Sequence, residues 1–99
     1  MKLQIHSIHF DADQKLLEFI QRRADKLETF FDRIIDGEVF LRVEKNGLNE
    51  NKLIEVKINI PGNQLFTKSH DKSFEAAADK AMDVLKRQLK KHKEKLVAH

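Results

Sequence analysis

The side chains with the clearest capacity for chemistry are cations, and they cluster near the C-terminal end of the 99-residue chain. Residues 80–99 hold seven Lys or Arg and two acids, a net charge of +5, whereas residues 1–79 carry −2. Cationic side chains at this density bind phosphates and release the counterions condensed on them. The segment therefore indicates a polyanionic partner. Its cations are Lys80, Lys86, Arg87, Lys90, Lys91, Lys93 and Lys95.

Placed at 100° steps around a helix, these cations cover most of the circumference that the apolar stripe leaves exposed. A solvated structural helix is the simpler alternative, because Lys and Arg also suit helix C-termini. Such a helix usually mixes charges in i,i+4 pairs, yet Glu94 is the only acid after Asp83. The pattern therefore favours nucleic-acid binding.

The predicted first helix carries a second cationic stripe, while its acids lie mainly on the back and the other flank. Ordinary salt pairing on a surface helix would explain the stripe by itself. Arg23 is different, because it projects near the apolar face; it either extends outward along the core or lines a groove between the two helices. If the basic sides of both helices meet, they form one broad patch suited to folded RNA. The candidates on this helix are Arg22, Arg23 and Lys26.

Side chains that catalyse reactions are poorly placed by comparison. The chain has no Cys, which excludes disulfides and thiolate metal sites, and it has no Gly-rich phosphate loop or Gly-x-Ser-x-Gly elbow. His6 and His9 would point to opposite faces of a strand, and His92 falls on an apolar helical stripe, where we expect it to pack. We therefore predict no enzyme activity, no catalytic or metal-binding residue, no cofactor and no small-molecule substrate.

The elements that must position the cations follow from apolar periodicity. Alternation predicts strands, and three- and four-residue spacing predicts amphipathic helices. Asp11 or Asp13 can cap the first helix, and Asp71 or Ser73 the last. Strands are expected over 2–10, 39–44, 54–60 and 64–70, helices over 14–34 and 74–96, and turns at Asp36-Gly37, from Asn46-Gly47 through Asn51, and at Pro61-Gly62-Asn63.

The order β-α-β-β-β-α predicts an α+β domain, with a four-stranded mixed sheet and both amphipathic helices packed on one face. The first helix makes a right-handed crossover, so the first two strands should be parallel and the remaining pairs hairpins. We expect one domain over 1–99, with its basic helix at about 73–97. That helix is about 35 Å long, so its C-terminal end should protrude or lie along an edge.

Composition narrows the class of protein. Charged residues reach 35% and apolar residues 40%. The longest apolar runs are three residues, against about 20 for a membrane helix, and the N-terminus lacks the apolar core of a secretory signal. We expect a cytoplasmic protein with no membrane partner.

The aromatic residues narrow the kind of nucleic acid. The chain lacks Trp and Tyr, and its seven Phe mostly occupy core-like positions, so a base-stacking sheet is disfavoured. A helix-turn-helix does not fit a strand-rich pattern. Shape and backbone recognition of structured RNA remains. Two functions stay open at this point: a general structured-RNA-binding module, and a protein-interaction domain that uses the heptad-like last helix as a coiled-coil partner.

Residues 83–96 resemble the C-terminal helix of bacterial ribosome hibernation-promoting factors, in the ribosome-associated inhibitor and sigma-54 modulation protein family. The most specific part is Arg-Gln-Leu-x-Lys-His-Lys-x-Lys-Leu at 87–96. Similarity extends to Lys-Leu-Glu-x-x-Phe-Asp-Arg-Ile at 26–34, Val-Glu-Lys at 43–45 and Ala-Ala-Ala-Asp at 76–79. Essentially the whole chain is covered. Two positions depart from the family pattern, since Val84 replaces a basic residue and Glu75 an aromatic one.

The resemblance implies binding to rRNA of the small ribosomal subunit, in the channel that holds mRNA and the A- and P-site tRNAs. It implies that translation is blocked in stationary phase or stress. A short form without the C-terminal dimerisation domain is expected, monomeric when free, with a ribosome-dimerising factor as a further partner. The positions that the family pattern assigns to rRNA are Lys86, Arg87, Lys90, Lys91, Lys93 and Lys95, with Arg23 and Lys26.

Overall fold

The computed structural model describes residues 1–46 and 49–97. Its sheet has the strand order β1-β2-β3-β4, in which β1 and β2 are parallel and the other neighbours antiparallel. The predicted α+β class and the parallel first pair are therefore confirmed. The elements are β1 (Leu3–Ser7), α1 (Gln14–Phe30), β2 (Asp36–Asn46), β3 (Asn49–Ile60), β4 (Asn63–Asp71) and α2 (Phe74–Val97).

The core lies between the two helices and one face of the sheet. Ile20 from α1, Leu85 and Leu89 from α2, and Val56 and Ile58 from β3 are all fully buried in it. Since the apolar stripe of α2 is used inside its own domain, it is not free to form a coiled coil. This packing argues against the protein-interaction alternative.

The first helix is shorter than predicted. It ends at Phe30, and Phe31 is extended, with φ −140° and ψ 107°. Phe31 and Ile34 are nevertheless buried in the core, because a loop can bury residues at the same spacing as a helix. Gly37, expected in the turn that ends the helix, instead lies in β2, where a Cβ atom would come within 2.8 Å of Leu3 Cδ1.

Two strand ends also differ from the predictions. β1 stops at Ser7 rather than residue 10, because His9 has φ 65°, which breaks the extended run. The turn predicted to continue through Asn51 is wrong there, since residues 49–51 pair with residues 44–46 across the hairpin. Cross-strand pairing overrides the weak strand propensity of Asn. Gly47, at the start of that predicted turn, lies outside the described residues.

The capping and turn predictions resolve to single residues. Leu16 N donates to Asp13 Oδ1 at 2.8 Å and Ala76 N to Ser73 Oγ at 3.1 Å, so Asp13 and Ser73 are the caps. The two-residue connection Pro61-Gly62 joins β3 to β4, with Gly62 at φ 76°. A proline followed by a glycine of positive φ is typical of a type II turn.

The last helix is the longest element among the described residues. α2 has 24 residues, and the molecule measures 51 × 26 × 18 Å. Leu89 is fully buried, whereas Lys90, Lys91 and residues 93–95 are exposed, as expected for a protruding end. The Leu96 side chain lies outside the described part of the structure. Among the described helices, none is long and apolar enough to cross a membrane.

Candidate nucleic-acid interface

The basic flanks of α1 and α2 meet, which is the condition under which the sequence analysis expected one broad basic patch. A groove of about 460 Å³ runs between them. Arg23 and Lys26 line it from α1, and Lys86 lines it from α2. Three of the predicted RNA-binding cations, from two helices far apart in sequence, are thus placed around one concave surface.

An aromatic ring organises the cations at one end of this groove. The Lys86 and Lys93 ammonium nitrogens lie 5.5 and 4.8 Å from the centroid of Phe30. Lys93 Nζ also donates to the Phe30 carbonyl oxygen at 3.2 Å. Cation–π contacts hold ammonium groups without cancelling their charge. Phe30 therefore keeps two of the predicted RNA-binding lysines close together and available to an anion.

Arg23 follows the second of its two predicted alternatives, because it lines the interhelical groove. Its Nε lies 3.0 Å from Asp79 Oδ1 in a salt bridge, and its guanidinium carbon lies 4.9 Å from the centroid of the Phe19 ring. The salt bridge links α1 to α2, and the contact with Phe19, within α1, further positions the guanidinium group. Arg22 lies beside it in an adjoining depression that Lys26 also lines.

The outer side of α2 provides a second set of cations. Arg87, Lys90, Lys91 and Lys95 are exposed, and within residues 1–46 and 49–97 none of them forms a salt bridge. Like charges repel along such a helix, and phosphates relieve that repulsion. RNA binding by these four side chains stays a prediction, and their exposure is compatible with it.

Lys80 has a different setting from the other predicted cations. Its ammonium group lies 2.9 Å from Asp71 Oδ2 and donates to the His70 carbonyl oxygen at 3.3 Å. These contacts join α2 to the end of β4. The hydrogen bond from Lys80, followed by the one from the Lys72 backbone, holds the pKa of Asp71 below its usual 3.8. Lys80 therefore has a role in the fold besides its predicted RNA contact.

This ion pair gives a pH-dependent prediction. Because the pKa of Asp71 is lower in the folded protein than its usual 3.8, the pair stabilises the fold above that pH, and the contribution is lost as the pH falls through the folded-state pKa. In Lys80→Ala the Asp71 pKa should rise toward 3.8, measurable by NMR titration of the carboxyl group. The stability difference between wild type and variant should shrink in acid. An unchanged Asp71 pKa in the variant would contradict this account.

The acids of α1 are kept away from the groove. The Met1 ammonium group lies 2.8 Å from Asp25 Oδ1 and also pairs with Glu28. The hydrogen bond that this ammonium group donates to Asp25 lowers the pKa of the Asp25 carboxyl group and raises the pKa of the amine. Asp25 and Glu28 thus pair with the N-terminus, away from the groove that Arg23 and Lys26 line. The predicted separation is incomplete at the start of α1, where Glu18 lines one depression with Lys15 and Arg22.

Sequence reasoning missed two acids in the groove. Asp79 and Asp83 line it together with Lys86, one turn apart on α2. A helical wheel would have placed Asp79 and Asp83 on the same side of α2 as Lys86. A net charge summed over the segment does not show where its acids lie. Glu75, the departure noted above, lines a further depression with Arg22, which places a carboxylate beside a predicted site residue.

Comparison with known proteins gives consistent results. Residues 3–97 match the family model described as Sigma 54 modulation protein / S30EA ribosomal protein. The ribosome hibernation promoting factor of Pseudomonas putida is 33% identical over 95 residues, covering 96% of this chain and 89% of the relative. That of Escherichia coli K12 is 33% identical over 99 residues, covering both chains fully.

A solved structure supports the fold. The ribosomal subunit interface protein from Coxiella burnetii superposes with a TM-score of 0.81 at 20% sequence identity, covering 94% of this chain and 98% of that one. At this identity the match concerns the architecture, which agrees with the strand order and helix placement described above.

Proposed function

The chain belongs to the Sigma 54 modulation protein / S30EA ribosomal protein family, and on that premise we propose that it is a ribosome hibernation factor. In this proposal it binds structured rRNA in the mRNA and tRNA channel of the small subunit, around the A and P sites. It thereby blocks translation in stationary phase or stress, in the cytoplasm. The observation that carries the proposal is the joined basic surface of α1 and α2, whose outer cations have no acidic partner among the described residues.

The shape of the surface suits an RNA channel better than an open duplex. The exposed C-terminal half of α2 is narrow and is cationic on both its groove side and its outer side. A helix of this kind can contact phosphates from several rRNA segments at once, which a flat surface cannot do. Recognition by these α2 cations then depends on the arrangement of phosphates rather than on base sequence.

Inhibition in this proposal is by occupancy, with no substrate turnover. A bound α2 places its cations and its volume where mRNA and tRNA backbones would run, so the two kinds of ligand compete. The same contacts would preserve the subunit, since a bound protein stabilises the state that binds it. A ribosome-dimerising factor remains a further proposed partner.

The proposal is tested by co-sedimentation with small subunits and by cell-free translation. The protein should move with the small subunit in preference to bulk RNA, and excess mRNA with initiator tRNA should displace it. Inhibition should follow the fraction of subunits occupied. Equal binding to any duplex RNA, without preference for the subunit, would favour the general structured-RNA-binding module instead. RNA cleavage by the purified protein would contradict inhibition by occupancy.

A further inference from the structure

The groove between α1 and α2 contains an apolar floor that phosphate binding does not require. Leu27 and Met82 line it and are only 4% and 6% exposed, and Phe30 forms one wall. The volume of about 460 Å³ lies in the range of sites that enclose small organic groups. Such a floor suits a flat aromatic group, and a Met thioether contacts aromatic rings favourably.

Several polar groups above this floor have no partner among the described residues. Thr29, Asp83 and Lys26 line the groove, and in the described ranges 1–46 and 49–97 their side chains make no hydrogen bond or salt bridge. Asp79 is different, because Arg23 already pairs with it. The groove therefore offers one free carboxylate acceptor and free ammonium donors around an apolar surface.

We propose that this groove takes one unstacked base of the bound RNA, and that the base is guanine or cytosine. The Asp83 carboxylate can only accept hydrogen bonds, so it needs an N–H donor on the base and is best matched by an amino group. The ammonium groups of Lys26 and Lys86 can only donate, so a base carbonyl oxygen suits them best. Guanine and cytosine carry both groups. Adenine offers the ammonium groups only ring nitrogens, and the N3–H of uracil lies between two carbonyl oxygens that repel a carboxylate.

The cations outside the groove indicate that the base belongs to a polynucleotide. Lys93 lies at the Phe30 end, and Arg22 lies in the depression that adjoins the groove. Cations on both sides can hold the phosphates before and after an extruded base. A free mononucleotide would use only one of these sides. This inference rests on the proposed function, because it names the part of the RNA that the same surface recognises.

The first test measures the base preference directly. RNA hairpins with a single bulged nucleotide are titrated with the full chain by fluorescence anisotropy, the bulge being cytidine, guanosine, uridine, adenosine or abasic. Stacking and pairing of one base should make the cytidine and guanosine bulges bind at least about fivefold tighter than the abasic one. Uridine and adenosine should gain less. Equal affinity for all five hairpins would overturn the proposal.

The second test uses a matched pair of variants. Asp83→Ala and Glu94→Ala each remove one exposed carboxylate from α2, and only Asp83 lines the groove. Less repulsion of phosphates should strengthen binding in both variants if charge alone matters. Asp83→Ala also removes the hydrogen-bond acceptor from the groove, so we expect it to lose the preference for cytidine and guanosine bulges, while Glu94→Ala retains it. An Asp83→Ala variant with the wild-type preference would contradict the inference.

The same titrations separate this inference from the proposed function. Tight, salt-dependent binding of every hairpin without base preference overturns the base site and leaves ribosome binding standing. Failure of wild type to bind either the hairpins or the small subunit overturns both. Titration with free CMP and GMP tests the source of the base, because tighter binding of either nucleotide than of the bulged hairpins would exclude RNA as the intended ligand.

Discussion

The double variant Arg87→Ala/Lys91→Ala should bind the small ribosomal subunit far more weakly than wild type. Both side chains are exposed on the outer side of α2, and among the described residues neither forms a salt bridge. Removing one cation that touches a phosphate should lower affinity by roughly tenfold near 0.1 M salt and reduce the slope of log affinity against log salt by about one unit. Arg87→Glu should be worse than Arg87→Ala, because it adds repulsion.

The measurement is a salt titration of small-subunit binding, with thermal melts alongside. The fold should be nearly intact, since exposed substitutions usually change stability by less than about 0.5 kcal/mol. Lys57→Ala/Lys68→Ala is the matched control, because it removes the same charge from the sheet face opposite the helices. If the Arg87 and Lys91 variant melts normally and keeps the wild-type affinity and slope, this side of α2 is not the RNA-binding surface.

The parts of the fold that sequence predicted well are those in which burial imposes a period. Val56, Ile58 and Ile60 alternate with polar residues, and all three are buried. Ala81, Leu85 and Leu89 keep helical spacing and are fully buried as well. A period of two residues indicates a half-buried strand, and a period of three to four residues indicates an amphipathic helix. The order of the elements and the α+β class followed from these periods.

The ends of helices and strands were predicted less well, because the conformation of residues there depends on tertiary contacts. Phe31 continues the helical spacing of α1, but it is buried from an extended backbone. Asn51 is a residue type common in turns, but pairing with Glu44 holds it in β3. Phe66 could not be placed from sequence, and it is 45% exposed on the sheet face away from the helices. Local propensity is weak beside such contacts.

The candidate site also has a part that could be predicted from sequence and a part that could not. An excess of like charge on the second half of α2 can be recognised without knowledge of packing, so the outer cations were predicted from sequence. The groove depends on which flanks of α1 and α2 meet, and that is a tertiary property. The Arg23–Asp79 pair and the position of Phe30 between two lysines exist only once the helices lie side by side. The apolar floor under those lysines could not be predicted from sequence for the same reason.

Leu85→Ala should have the opposite effect to removal of the outer cations. Leu85 is fully buried between α2 and the sheet, so truncation removes buried methyl groups and leaves a cavity. The free energy of unfolding should fall by about 2–5 kcal/mol, and each kcal/mol lowers the melting temperature by about 4–8 °C in a domain of this size. Ile35→Ala is the control, because it deletes as many carbons from a side chain that is 60% exposed.

The two predictions separate binding from folding on a single helix. At a temperature well below its melt, folded Leu85→Ala protein still presents Arg87 and Lys91 on the outer side of α2, so its salt slope should match wild type. The double cation variant should have a smaller slope and keep its melting temperature. A Leu85→Ala protein with the wild-type melting temperature would show that this side chain does not anchor α2. A reduced slope in the folded Leu85→Ala protein would show that binding and packing on α2 are not independent.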